Sequence, residues 1–386
     1  MTNIKQKFLW FAFLKNFAIA TPFLTLYFSQ RVKLNQIALL FGVYSFISFL
    51  MELPTGVLAD RIGEKRALFV SSSIILLGNL FIISKEYNFI ILGQVLLGTG
   101  NALYSGCFES LQLNSVEETP DKEKTFRTIS NATWKSTWTA IILAPLCGSA
   151  IARYDISLVM FANIVVSALL IISSLFLPRS MLGTRLQTGR IINKTVSEIK
   201  RPSVIRIAFL NIMISASLIT IYMLFQMLIH EKKIDSTANG IIYSSVALFG
   251  LLGSFVYPKI SVKTRSRSFV CALALFALAF VCVGLAISVS IVVAVIFFAI
   301  LRLVWGFIGP LLSQDLNLEI KQDNARSSTI SLVSLATTLL QSLMIIILPQ
   351  IFTTIAEVFI CLGCLLTFCA LWLAWKGRAP QDSPSV

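Results

Sequence analysis

The chain has 386 residues, of which 56% are hydrophobic and 13% charged, with a mean hydropathy of +0.83. A water-soluble domain carries about 25% charged residues, so a soluble globular protein is excluded. The formal charge of +14 could suggest nucleic acid, but the charges sit between apolar runs rather than on one patch, which argues for topology and against a nucleic-acid partner.

The apolar runs recur along the whole length and reach the roughly 20 residues that cross about 30 Å of hydrocarbon. In chain order they predict helices at 8–28, 36–58, 67–84, 88–110, 128–151, 156–177, 204–229, 237–257, 268–287, 290–312, 327–349 and 354–375. The first run is longer than a signal-peptide core and a second follows at once, so it reads as a retained helix. With the N-terminus in the cytoplasm, the inside loops and tails hold 23 Lys and Arg and the outside loops six, with the remaining three inside helices. That asymmetry predicts that both termini are cytoplasmic. Cys107, Cys147, Cys271, Cys282, Cys361, Cys364 and Cys369 all fall inside apolar runs. The pair in "CLGC" has no second pair and no nearby His, so neither a metal site nor another cofactor is expected.

The longest polar segment separates two sets of six predicted helices. The expected organisation is an N-terminal bundle at 1–178, a basic cytoplasmic linker at 179–203 and a C-terminal bundle at 204–386. A short repeat supports a duplication. Leu113-Asn114 is followed, after a polar stretch, by "RTIS" from Arg127, and Leu316-Asn317 is followed by "RSSTIS" from Arg326. These fall after the fourth and tenth helices, at matching places in the two sets. The fold class expected is an all-α polytopic membrane protein, with twelve transmembrane helices in two pseudo-symmetric six-helix bundles around a central cavity.

Between the second and third helices lies "GVLADRIGEKRAL", Gly56 to Leu68, with five charges in thirteen residues. Gly56 is small enough for close helix approach, and Gly63 allows the positive φ of a tight turn. The stretch resembles the signature loop of the major facilitator superfamily: Gly56, Leu58, Asp60, Arg61, Gly63, Lys65 and Leu68 match in order. Glu64 stands where that pattern is basic, a role that Arg66 could take over. "APLCGSAI" at 144–151 is a loose version of the Gly/Pro element of exporters in the same superfamily. The resemblance implies that Gly56, Asp60, Arg61, Gly63, Lys65, Arg66, Glu109 and Arg326 form a conformational latch. In it, Asp60 pairs with Arg326 across the bundles when the cavity faces outward. It also implies that the first, fourth, seventh and tenth helices line the central cavity.

Three basic residues lie within predicted helices: Lys15, Lys135 and Arg302. A charge at membrane depth faces a cavity or a partner, and Arg302 lies about 16 Å from either helix end at 1.5 Å per residue, too deep to snorkel. Lys15 and Lys135 are nearer the cytoplasmic face, where snorkelling is an alternative. At 100° per residue, Asn211, Ser215, Tyr222 and Gln226 form one polar stripe and Gln94, Asn101, Ser105 and Glu109 another. Arg302 shares its face with Trp305. The candidate substrate-cavity residues are therefore Lys15, Gln94, Asn101, Asn211, Tyr222, Gln226, Arg302 and Trp305. The alternative for the stripes is hydrogen-bonded helix packing. Glu109 and Glu52 are the candidates for proton coupling, with a structural role in the latch or gate as the competing reading of each.

Without a phosphate-binding Gly-rich loop or a soluble nucleotide-binding part, ATP-driven pumping is not expected. With one His and no central pair of carboxylates, neither is an enzyme. The expected function is secondary active transport of a small molecule by alternating access, proton-linked, outward in direction, by a monomer in the bilayer of a bacterial inner membrane. A cavity with basic residues and no central acid suits an anionic or polycarboxylate substrate, such as a siderophore or secreted metabolite. Multidrug efflux of lipophilic compounds and nutrient uptake by proton symport are the alternatives.

Overall fold

The computed structural model describes residues 2–115, 122–178, 200–256, 264–320 and 323–376. Among these, no strand occurs. The helices are α1 (Thr2–Asn16), a 3-10 turn (Thr21–Phe23), α2 (Leu24–Ser29), α3 (Leu34–Ile62), α4 (Glu64–Ile82), α5 (Tyr87–Asn114), α6 (Lys122–Ala152) and α7 (Ile156–Leu175). After the segment 179–199 come α8 (Pro202–Glu231), α9 (Ser236–Val256), α10 (Thr264–Ala286), α11 (Ile291–Glu319), α12 (Asp323–Ile351) and α13 (Ile355–Lys376). Among the described residues, ten stretches are long and apolar enough to cross a membrane, with α1 and α2 counted as one. α5 and α6, of 28 and 31 residues, are not in that set, and parts of both lie outside the described residues.

The surface confirms the solvent. On α7, Phe161, Val165, Leu169 and Ile172 recur at spacings of three and four and are 45–59% exposed, while Asn163, Ser167 and Ser174 on the other side are buried. A helix with apolar residues outward and polar residues inward is stable in lipid, where backbone groups are satisfied within the helix.

Packing follows an approximate two-fold pattern. Among the helices before residue 179, α3 packs on α5, α4 on α5 and α7, and α1 on α6. Among those after 200, α9 packs on α11, α10 on α11 and α13, and α8 on α12. With α1–α2 counted as one helix, each first-group pair matches a second-group pair six helices on. The two groups meet through α6 against α9 and α3 against α12, which the same shift exchanges. The repeat seen in the sequence sits at equivalent junctions, α5 to α6 and α11 to α12. Most of the linker expected at 179–203 lies outside the described residues.

Two local expectations are corrected. The first helix is not continuous over 8–28: α1 stops at Asn16 and regular structure resumes only at Thr21. Pro22 is the cause, since it has no N–H to donate and its ring excludes the carbonyl four residues back; it is tolerated at the start of the 3-10 turn, where that N–H has no helical partner. The charged stretch from Gly56 to Leu68 is not a loop either. α3 runs to Ile62 and α4 begins at Glu64, so Gly63 alone makes the turn, with φ +85°. Only glycine adopts that conformation without strain, and its N–H bonds to the Ala59 carbonyl at 2.8 Å.

Candidate substrate cavity and the seam between bundles

Helix packing and the short connections among the described residues place Thr2 and Lys376 at one end of the bundle, the terminal end. The 29–34, 152–156, 231–236 and 351–355 connections lie at the other, the far end. Hydrogen bonds join the two groups across the far half. Asn239 Nδ2 donates to the Pro22 carbonyl at 2.6 Å, Ser244 Oγ to the Ile142 carbonyl at 2.8 Å, and Ser236 Oγ to the Ala152 carbonyl at 3.4 Å. Ser149 Oγ donates to the Thr237 carbonyl, and deeper in, Gln341 Nε2 donates to Ser45 Oγ at 2.9 Å. The backbones touch here: a Cβ added at Gly240 would lie 2.3 Å from the Pro145 carbonyl oxygen and 2.6 Å from Ser149 Cβ.

Below this seam lies a cavity of about 230 Å³, many times the space one water needs. The break in the first span opens onto it, through Ala18, Ala20 and Thr21. Irregular backbone at membrane depth is tolerated where it is buried in protein or lines a cavity, and here Asn163 Oδ1 accepts from the Ala20 N–H at 3.4 Å. Asn16 Nδ2 ties the end of α1 to its own turn through the Ala12 carbonyl at 2.8 Å, and to Thr137 Oγ1 on α6 at 3.2 Å.

Five expected cavity residues line this space together: Lys15, Gln94, Asn101, Tyr222 and Gln226. Lys15 Nζ donates to Asn101 Oδ1 at 3.3 Å and lies 4.8 Å from the centre of the Tyr104 ring. Thr25 Oγ1 of α2 meets Gln226 Oε1 at 3.4 Å. Gln94 is 2% exposed and its Nε2 has no hydrogen-bond partner. Lining residues that the stripes did not indicate come from α4 and α7. Asn163 Nδ2 donates to Asn79 Oδ1 at 3.1 Å, and Asn79 Nδ2 to Ser167 Oγ at 2.7 Å. The signal was present as single asparagines in otherwise apolar spans, which are costly in lipid unless paired. No carboxylate is among the lining residues.

Arg302 and Trp305 do not line the cavity but stand behind Tyr222. The guanidinium carbon lies 4.5 Å from the centre of the Tyr222 ring, 5.3 Å from Trp305 and 5.5 Å from Phe298. Arg302 is 6% exposed, its Nε has no hydrogen-bond partner, and it pairs with no carboxylate among the described residues. Its position is fixed by the contact of α9 with α11, where a Cβ on Gly306 would lie 2.0 Å from the Gly250 carbonyl oxygen. Asn211 is not at the cavity and accepts from Ser215 Oγ at 3.1 Å. Lys135 is exposed, on the α6 face whose Trp138 fills the space over Gly250 of α9.

Of the latch residues, the side chains of Asp60, Glu109 and Arg326 lie outside the described residues. Arg61 and Arg66 are exposed and Lys65 partly buried, either side of the Gly63 turn. Among the described residues, a Cβ on Gly56 would meet nothing within 4 Å. Glu64 sits in the first turn of α4, where a carboxylate is favoured by the helix dipole, and it accepts from Asn114 Nδ2 at the end of α5 at 2.8 Å. That contact gives a reason for the departure from the basic residue of the signature. Glu52 is half-buried on α3, away from the cavity, with the Ser334 hydroxyl of α12 as an interacting partner.

A helical bundle sealed across one half, with a cavity of apolar walls and several polar side chains beneath the seal, is the architecture of a membrane transporter. The family model of the Major Facilitator Superfamily matches residues 8–349, and the chain belongs to that family. The nucleoside transporter NupG superposes with a TM-score of 0.76 at 13% identity, covering 96% of this chain and 99% of that one. The D-xylose-proton symporter gives 0.75 at 11% identity, covering 100% and 99%. The human organic anion transporter TETRAN gives 0.69 at 11%, covering 96% and 99%. At these identities the likeness establishes the fold. No curated protein matches the sequence significantly.

Proposed function

We propose that this chain is a secondary active transporter that exports a small anionic molecule by alternating access, with α5 and α6 completing twelve spans. The observation that carries the reading is Lys15, a cation at a cavity whose lining holds no carboxylate. Lysine offers donors only, and an unpaired charge at membrane depth marks a binding path. Gln94, Asn101 and the Asn79–Asn163–Ser167 wall supply hydrogen bonds for the oxygen atoms of the same molecule.

The positive-inside asymmetry places the terminal end in the cytoplasm, so the sealed far half makes this the conformation closed to the outside. The Asp60–Arg326 latch belongs to the opposite conformation, in which the terminal end is shut. Coupling to protons is assigned to Glu109, with Glu52 as the second candidate, and the protein acts as a monomer in a bacterial inner membrane. The apolar walls of the cavity, with Phe41, Ile75, Leu97 and Met223, favour lipophilic compounds as the second reading.

Purified protein in proteoliposomes separates the two. Flux of small carboxylates that is abolished in Lys15→Gln supports the anionic reading. Flux of neutral lipophilic compounds alone, unchanged in that variant, refutes it.

A further inference from the structure

The second buried cation stands one aromatic ring away from the cavity. Tyr222 lines the cavity with one side of its environment and carries the Arg302 guanidinium against its ring at 4.5 Å. Around Arg302 the neighbours are aromatic: Phe298 and Trp305 on its own helix, and Tyr243 of α9, whose ring lies 5.6 Å from Phe298 and 5.9 Å from Tyr222. Tyr243 is 2% exposed, and its hydroxyl, like Arg302 Nε, is buried without a hydrogen-bond partner. Such orphaned groups in a native fold call for an explanation. Cation–π contact replaces only part of the hydration that a guanidinium loses on burial, whereas a carboxylate matches its fork geometry with two charge-assisted hydrogen bonds.

We propose that Arg302 is the second anchor of a dicarboxylate substrate, screened from the cavity by Tyr222 in this conformation and joined to it when that ring turns aside. The first anchor is Lys15, so the inference rests on the anionic reading above and narrows it to molecules with two acidic groups. Three observations support it. Arginine and lysine are donor-only groups; Lys15 meets only the neutral Asn101 amide and Arg302 only the neutral Tyr222 hydroxyl, so among the described residues neither has a carboxylate partner. They lie in different bundles, Lys15 on α1 and Arg302 on α11, so one molecule bridging them couples the two halves. Gln94 Nε2 on the cavity side and Tyr243 Oη on the arginine side are further unpartnered atoms along the same path. The Gly250–Gly306 contact holds α9 and α11 together, which leaves the Tyr222 side chain as the movable part.

The test uses the full chain in detergent and follows thermal unfolding at matched ionic strength with succinate, glutarate and adipate, with butyrate as the monocarboxylate and glutaramide as the neutral control. The wild type should respond to at least one dicarboxylate at concentrations roughly tenfold or more below butyrate, the value of one charged hydrogen-bond pair. Arg302→Gln should remove that advantage and leave the butyrate response. Arg302→Lys, which keeps the charge but not the fork, should retain part of it and controls for folding. Lys15→Gln should weaken both classes. A dicarboxylate advantage that is absent in the wild type, or that survives Arg302→Gln, overturns the two-anchor proposal. If butyrate still binds through Lys15 in that case, the anionic reading stands. If no carboxylate stabilises the protein, both fall.

Discussion

Gly240 offers a direct handle on the conformational equilibrium. It lies in α9 at the far-end seam, where a new Cβ would lie 2.3 Å from the Pro145 carbonyl oxygen, 2.6 Å from Ser149 Cβ and 3.0 Å from Phe23 Cζ. Two of these three atoms, Pro145 O and Phe23 Cζ, belong to backbone or to a fully buried ring, so relief requires the bundles to part. Overpacking of this kind costs about 1–3 kcal/mol. Because the strain is present only while the far half is sealed, the whole of it acts on the balance between conformations, a shift of roughly 5- to 150-fold. The assay is labelling of Thr25→Cys, in a background without the seven native cysteines, by a membrane-impermeant thiol reagent. Thr25 is 1% exposed beside Gln226 and should react slowly when Gly240 is intact. Gly240→Ala should speed labelling at least fivefold with the protein still folded. An unchanged rate in a folded variant would refute the view that the seam is the closed gate.

Other consequences are as specific. Gly63→Ala forces an L-residue to φ +85° and should lower stability by about 1–3 kcal/mol, whereas Gly56→Ala, whose Cβ would meet none of the described residues within 4 Å, should be neutral or slightly stabilising; thermal unfolding of the pair reads the contrast directly. Asn163→Leu removes the partner of Asn79 and of the Ala20 N–H, and should cost about 1–3 kcal/mol while weakening transport, seen as a lower melting temperature with reduced flux. Asp60→Asn should abolish the latch and shift terminal-end accessibility, so normal transport with unchanged thiol labelling there would remove that role. Glu109→Gln should abolish the pH dependence of flux, and a preserved pH profile would assign coupling elsewhere.

The sequence made the apolar spans, the charge asymmetry and the charged motif legible because each is a pattern of composition at helical or bilayer length. The helix ends were less clear, since several helices continue past the apolar run into charged residues, as α3 does through Asp60 and Arg61 to Ile62. The break in the first span was signalled by "ATPFL", residues 20–24, but its apolar neighbours hid it. Of the residues lining the cavity, the stripes held Gln94 and Asn101, which repeat at helical spacing on α5, and Tyr222 and Gln226, which do so on α8. Asn79 and Asn163 are single residues on two helices, and only tertiary packing brings them within 3.1 Å. The same limit applies to Arg302: helical spacing places it toward the cavity, while the screen that Tyr222 forms in front of it depends on the contact of α8 with α11.

Export of an anionic molecule by this chain is tested most directly by comparing small molecules inside cells and in spent medium, with and without the gene. The account predicts that, without it, a carboxylate-bearing compound is retained in the cells and missing from the medium. A compound left unused in the medium would mean uptake and contradict the direction, and retention of neutral lipophilic compounds alone would contradict the role given to Lys15.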